Sequence, residues 1–136
     1  MPVTDDETLR SILDYETVAV VGCSGTPGKP AYDIPRYLDR QGYNVIPVNP
    51  FAEDLLGKTT YDSLSEVPEE IDIVDVFRPS EEVSEIVDEA LERDDVSVIW
   101  LQLGIHDDDA VARAEDDGRQ VVEDRCMKPE HQRLMA

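Results

Sequence analysis

Positive charge is scarce in this 136-residue chain, which has 12 Lys and Arg residues against 32 Asp and Glu residues and a formal charge of −20. Proteins bind nucleic acids and anionic lipid surfaces by neutralising phosphates with Lys and Arg, so we exclude a general nucleic-acid or membrane-surface binder. The acidity does not indicate disorder, because 40% of the residues are hydrophobic and these lie in periodic blocks. The composition therefore predicts a folded acidic domain.

Long apolar runs, cysteines and lysines are also few. No apolar run approaches the ~20 residues of a membrane span, the acidic N-terminus lacks the features of a signal peptide, and two cysteines do not make a disulfide scaffold. We expect one cytoplasmic domain over residues 1–136. An acidic surface with three lysines favours a halophilic protein working in concentrated salt, although an ordinary acidic protein is the alternative.

Helical and extended patterns alternate along the chain. Apolar runs without polar alternation predict strands at 17–21, 43–48, 71–77, 96–101 and 120–122, and amphipathic stretches lie between them. This pattern is typical of a parallel sheet covered on both faces by helices. We therefore predict an α/β fold with a Rossmann-like, doubly wound parallel sheet of five strands, and we assume the strand order 3-2-1-4-5 of that class.

Ligands of such sheets bind beyond the carboxyl ends of the strands, so the residues at those ends are the candidates for a site. The first strand ends in Gly22-Cys23-Ser24, and the loop then runs to Lys29. Its glycines follow G-x-x-G-x-x-G, a weak fingerprint, but small residues, free amides at a helix start and a lysine suit a phosphate group. A turn that uses glycine for geometry alone is the alternative.

The second and third strand ends add polar and aromatic candidates. Asn49-Pro50 follows strand two, where an NAD site commonly places a carboxylate, so the amide argues against NAD. An ordinary Asn-Pro turn explains these two residues equally well. After strand three, Phe77 is suited to flank an adenine and Arg78 to pair with a phosphate. The alternative places Phe77 in the core and Arg78 on a surface carboxylate.

The fourth strand end and the remaining reactive groups indicate binding rather than catalysis. Gln102 and the Gly104 amide are expected to face the pocket, and Trp100 is expected in the core. The two histidines lack metal-ligand spacing to a partner, so no metal site is predicted. Cys23 and Cys126 follow strands that are two spacings apart in the assumed order, which favours free thiols over a disulfide. A mixed disulfide with a thiol-bearing ligand stays open.

Together, these motifs resemble a known family. The run VAVVGCSGTPGKPAYDIPRYLDRQGYNVIPVNP resembles the start of the small stand-alone CoA-binding proteins. Their domain is similar to the CoA-binding domain of the succinyl-CoA synthetase alpha subunit. The similarity continues through VIWLQLGI and VVEDRCMKPEHQRL and covers residues 17–134. The resemblance implies a Rossmann-like domain that binds coenzyme A.

The family's binding residues are carried over at the matching positions, which lie at the strand ends: Gly22, Cys23, Ser24, Lys29, Asn49, Pro50, Phe77, Arg78, Gln102 and Gly104. Two positions depart from the family pattern, since Cys23 stands where Ala is usual and Ala31 where many members have Ser. The synthetase's phosphohistidine domain has no counterpart in this sequence, and neither histidine matches its motif. Ligase activity is therefore not implied.

The preferred hypothesis is a protein that binds CoA or an acyl-CoA without catalysing a reaction. One alternative is an NAD(P)- or acyl-CoA-dependent enzyme, for which Asn49 disfavours NAD. Another is a regulatory or interaction subunit that senses CoA for a protein partner. Because CoA is itself a polyanion, the preferred hypothesis also predicts that its affinity stays constant or rises as salt increases.

Overall fold

Five parallel strands form the centre of the computed structural model, which describes residues 1–135. They are β1 (Thr17–Val21), β2 (Asn44–Val48), β3 (Ile73–Val76), β4 (Val98–Leu101) and β5 (Gln120–Val122). The predicted Rossmann-like α/β class is confirmed, since every pairing between neighbouring strands is parallel. Ala136, the last residue of the predicted domain, lies outside the described residues.

The assumed strand order is wrong, because the sheet runs β2-β1-β3-β4-β5 and β3 pairs directly with β1. In the assumed order β2 would lie inside the sheet and would need hydrogen-bond donors on both sides. Pro47 in the middle of β2 has no N–H to donate, which suits an edge strand. The fully buried β3 instead takes the central position, between β1 and β4.

Five helices flank the sheet: α1 (Asp6–Leu13), α2 (Pro30–Arg40), α3 (Ser80–Leu91), α4 (Asp108–Asp116) and α5 (Met127–Leu134). Side chains of Asp5 and Asp107 cap α1 and α4 by accepting main-chain N–H groups. Ser80 is the first residue of α3, and its Oγ accepts the His106 N–H at 3.0 Å. Within residues 1–135, no helix has the length and apolar character that crossing a membrane requires.

The two faces of the sheet carry separate apolar layers. On one face, α3 and α4 pack against the sheet through residues such as Val83, Val87 and Ala114. On the other face, α1, α2 and α5 bury residues such as Leu9, Leu38 and Met127. The helices of these two layers cover the faces of the sheet, so a ligand site is expected at the carboxyl ends of the strands.

Arginines tie the ends of these elements together. Arg119 donates to four main-chain carbonyl oxygens at the end of α3 and in the turn before β4, at 2.8 to 3.3 Å. Arg93 donates to three carbonyl oxygens of the segment 64–69 at 2.7 to 2.9 Å. Part of the scarce positive charge therefore holds the main chain together and is not available to a ligand.

Candidate functional site

A cavity of about 230 Å³ opens at the carboxyl end of the sheet, between β1 and β3. The chain leaves β1 towards β2 on one side and continues from β3 towards β4 on the other, so this is the switch point of the sheet. Ligands of doubly wound sheets bind at such a point. We call this space the switch-point cavity; its lining includes Val21, Gly22, Val48, Asn49, Pro50, Phe51, Asp62, Leu64, Arg78, Glu82, Glu85, Ile86 and Glu89.

The loop after β1 lies beside the cavity and leads into the start of α2. Ser24 shapes this loop, because its N–H donates to the Ala31 carbonyl and its Oγ accepts the Thr26 N–H. No side chain caps α2, whose N-cap residue is the exposed Lys29. In the described part of the chain, the N–H groups of Gly25 and Gly28 have no hydrogen-bond partner. Free amides, a helix start and a cation form an arrangement that suits a phosphate.

Asn49 connects the loops that follow β1 and β2. Its Nδ2 donates to the Cys23 carbonyl oxygen at 2.9 Å, and its Oδ1 accepts the Phe51 N–H at 2.8 Å. Its own N–H donates to the Tyr61 carbonyl. Because both ends of the side-chain amide are engaged, Asn49 holds the two loops in a fixed relation to one another.

We expect Asn49→Ala to lower the free energy of unfolding by about 1–3 kcal/mol, because a partly buried carbonyl and a main-chain N–H lose their partner. Urea denaturation followed by circular dichroism measures this loss. Asn44→Ala is the matched control, since Asn44 is exposed and its amide bonds only to Glu69 on the surface, so that its loss should stay within ~0.5 kcal/mol. Equal losses in the two variants would show that Asn49 does not join the loops.

Arg78 lies against Gly22 and is held by a carboxylate. A Cβ at Gly22 would lie 2.8 Å from Arg78 Cδ, so only glycine permits this approach. The Arg78 guanidinium donates to both carboxylate oxygens of Glu82, at 3.2 and 2.7 Å. These bonds hold the pKa of Glu82 below its usual range and raise the pKa of Arg78. The positive charge of Arg78 is thus largely offset at the cavity.

The rest of the cavity wall is acidic around an apolar floor. Carboxylates of Asp62, Glu85 and Glu89 join Glu82 at the cavity, while Val21 and Val48 belong to its apolar part. An anionic group placed here meets several like charges. The cavity therefore suits a neutral or hydrogen-bond-donating group better than it suits a phosphate.

Several predicted residues lie away from the cavity. Phe77 is half-buried and packs with the apolar layer of α1, α2 and α5. Gln102 is buried and donates from Nε2 to Asp75 Oδ1. The Gly104 N–H donates to Asp124 Oδ1 at 2.7 Å. Trp100 is fully buried, as predicted for a core residue. Of the predicted residues, the structure brings Gly22, Asn49, Pro50 and Arg78 into the cavity lining, with Cys23, Ser24 and Lys29 on the adjoining loop.

Cys23 and His131 are buried, and Cys126 is partly buried. Burial raises the pKa of the Cys23 thiol to about 11, and burial also raises the pKa of Cys126. β1 and β5 are three strand spacings apart in the observed order, which strengthens the argument against a disulfide. His131 is buried, and its Nδ1 lies 2.7 Å from the Tyr37 hydroxyl. No group of side chains within residues 1–135 is arranged to hold a metal ion.

The central strand contains a buried carboxyl group that was not expected from the sequence. Asp75 has no exposed surface, and its Oδ2 has no hydrogen-bond partner among the described residues. Burial raises the pKa of Asp75 to about 7, against the weaker opposing effect of its bond from Gln102. The sequence does carry a signal for this group, since Asp75 interrupts the apolar run IVDV, but Asp75 lies within β3 and not at its carboxyl end, where ligand-binding residues are expected.

Comparison with known protein families matches residues 16–132 to the CoA binding domain. The chain belongs to this family. The resemblance inferred from the motifs is therefore confirmed. Acetate–CoA ligases (ADP-forming) of Archaeoglobus fulgidus and Pyrococcus furiosus are among the relatives of the chain.

The chain is similar to both small and large proteins. The chain is 38% identical over 124 residues to the uncharacterized protein YneT of Bacillus subtilis, covering 90% of this chain and 91% of that protein. It is 33% identical over 87 residues to acetate–CoA ligase (ADP-forming) II of Archaeoglobus fulgidus, covering 62% of this chain and 13% of the ligase. A hypothetical protein from Pyrococcus horikoshii superposes with a TM-score of 0.95 at 35% identity, covering 100% of this chain and 97% of that one. The chain spans between 12% and 21% of the acetate–CoA ligase chains that it matches.

Proposed function

We propose that the protein binds coenzyme A or an acyl-CoA at the switch point of its sheet. The pyrophosphate lies over the loop from Gly22 to Lys29, and the adenosine lies beside Asn49 and Pro50. The observation that carries this proposal is the coincidence of the cavity with an uncapped helix start and free loop amides at the β1–β3 switch point. Membership of the CoA-binding domain family supports the same ligand.

The charge of the protein restricts how it can hold this polyanion. Arg78 is already paired with Glu82, whereas the side chain of Lys29 has no hydrogen-bond or ion-pair partner in the described part of the chain. Arg36 also reaches this loop, but its guanidinium donates to the main-chain oxygens of Ser24 and Tyr32. Lys29 is therefore the side-chain cation that we expect to meet a phosphate. The main-chain amides supply the remaining donors without adding charge.

We expect Lys29→Ala to weaken CoA binding about 3- to 10-fold, because one charge-assisted bond to phosphate is lost. Isothermal titration of the folded protein with CoA measures the change. Arg40→Ala is the matched control, since it removes the same charge from an exposed position at the far end of α2. A wild-type protein that binds no CoA would reject the proposed function, and equal effects of the two substitutions would reject the phosphate position.

Repeating the titration from low salt to 1 M tests the role of the acidic surface. Net repulsion between CoA and the −20 chain is screened by salt, so the affinity should stay constant or rise. A steep fall would instead mean that attraction to phosphate dominates binding.

We further propose that the protein binds its ligand without converting it. The buried, protonated Cys23 thiol is a poor nucleophile, which supports this view and disfavours a mixed disulfide with CoA. Acetyl-CoA incubated with the folded protein should be recovered intact, as judged by mass spectrometry. Loss or transfer of the acetyl group would identify an enzyme.

A further inference from the structure

Phe51 is an aromatic side chain displayed to solvent at the edge of the switch-point cavity. Its side chain is 91% exposed, although it lies directly after the Asn49-Pro50 turn and contributes to the cavity lining. Its main chain is held in place, since its N–H donates to Asn49 Oδ1 at 2.8 Å. A single exposed apolar residue is ordinary. Phe51 differs because its main chain is fixed by a hydrogen bond and it lies beside a cavity, so its ring is placed to contact a ligand.

The aromatic ring of Phe51 and the acidic residues near it suit the adenine part of a CoA molecule better than its phosphates. An aromatic ring offers a stacking surface that works without charge. The cavity lining also includes the acidic residues Asp62, Glu85 and Glu89, whose carboxylates repel phosphates and accept hydrogen bonds. One oxygen of Glu89 already accepts the Leu64 N–H at 2.9 Å. A neutral purine with an exocyclic amino group satisfies both features, because its ring stacks and its amino group donates.

Resting on the proposed function, we infer that Phe51 stacks on the adenine ring of CoA and that the amino edge of the adenine faces the acidic wall. Base recognition of this kind lets an acidic protein hold a polyanion without a cluster of cations. The half-buried Phe77, named from the sequence as the residue flanking the adenine, packs instead with the apolar layer of α1, α2 and α5.

Binding of CoA fragments to Phe51 variants tests this inference. Phe51→Ala should weaken the binding of CoA and of adenosine 3′,5′-bisphosphate about 5- to 150-fold, the range that corresponds to loss of one stacked base. Leu103→Ala is the matched control, because Leu103 is also an exposed apolar residue, at 71%, but lies in the loop after β4 and outside the lining of the switch-point cavity. The inosine analogue of the bisphosphate, which lacks the amino group, should bind the wild type more weakly than the adenosine compound.

Fluorescence gives a second readout that does not depend on a loss of affinity. The chain has one tryptophan, Trp100, which is fully buried, so Phe51→Trp adds an exposed fluorophore at the position of interest. Adenosine 3′,5′-bisphosphate should quench this signal to saturation, whereas Leu103→Trp should respond little.

The outcomes separate the inference from the function on which it rests. If the wild type binds CoA and Phe51→Ala binds it equally well, the adenine position is wrong while the proposed function stands. If Phe51→Ala weakens pantetheine but not the bisphosphate, the ring contacts the other end of CoA and the inference fails. If the wild type binds neither CoA nor its fragments, both the function and the inference fail.

Discussion

Asp75→Asn is expected to stabilise the protein by about 2–3 kcal/mol at pH 8 and to destabilise it by about 1–2 kcal/mol at pH 4. Asp75 is fully buried in the central strand, and burial raises its pKa from 3.8 to about 7. Between these values the folded protein keeps a proton that the unfolded chain has lost, so the stability of the wild type falls as pH rises. Above pH 7 this loss is complete and amounts to about 4 kcal/mol.

The amide in Asp75→Asn is neutral at every pH, so it avoids this loss. Its Oδ1 can still accept from Gln102, while its Nδ2 takes the place of the unpartnered Oδ2 and offsets about 1–2 kcal/mol of the gain. The remaining stabilisation corresponds to a rise in Tm of roughly 5–10 °C at pH 8.

Thermal denaturation at pH 4, 6 and 8 measures the effect of Asp75→Asn. Asp94→Asn is the matched control, because it makes the same chemical change at an exposed position in the turn before β4. Subtracting the control removes the general effect of a lower net charge. A difference in Tm that is independent of pH would contradict a carboxyl group that titrates inside the core.

Gly22→Ala is expected to lower the free energy of unfolding by about 2–4 kcal/mol. Gly22 has a φ of +90°, which strains any residue with a side chain. The added Cβ would also lie 2.8 Å from Arg78 Cδ and 3.3 Å from the carbonyl carbon of Phe77, so the Arg78 side chain and the main chain at Phe77 must shift to make room. Urea denaturation followed by circular dichroism measures the loss.

Gly42→Ala separates the two causes of this loss. Gly42 has a similar φ of +97°, but a Cβ there has no heavy atom within 4 Å. It should therefore lose only the ~1–2 kcal/mol of backbone strain. If Gly22→Ala and Gly42→Ala lose the same amount, the close approach of Arg78 to Gly22 has no energetic consequence.

The local elements of this fold were predictable from the sequence, but their arrangement was less so. The run TVAVV has one plausible structure, because β-branched residues without polar alternation favour a buried strand. The order of the strands depends on tertiary packing. The order assumed for this class wrongly placed β3 at the edge of the sheet and β2 inside it. Pro47 was the local signal for the correct edge, since a strand that lacks a donor is poorly suited to an interior position.

The candidate site was predictable only where it lies on strand ends. Gly22, Asn49 and Arg78 were found because parallel strands end at a common edge. The acidic wall comes from the outer turns of α3, where Glu85 and Glu89 read from sequence as ordinary surface residues. Their place at the cavity depends on how α3 packs on the sheet, which periodicity does not reveal.

The parallel sheet also has a consequence for how the chain reaches its fold. The central pairing of β1 with β3 aligns Val18 with Ile73, so two segments that lie far apart in the sequence must meet to form the centre of the sheet. Folding through such distant contacts is slow and leaves apolar strands exposed to other unfolded chains. A charge of −20 makes unfolded copies repel one another during that time. We therefore expect the acidity of the chain to protect it from aggregation while its central strands pair.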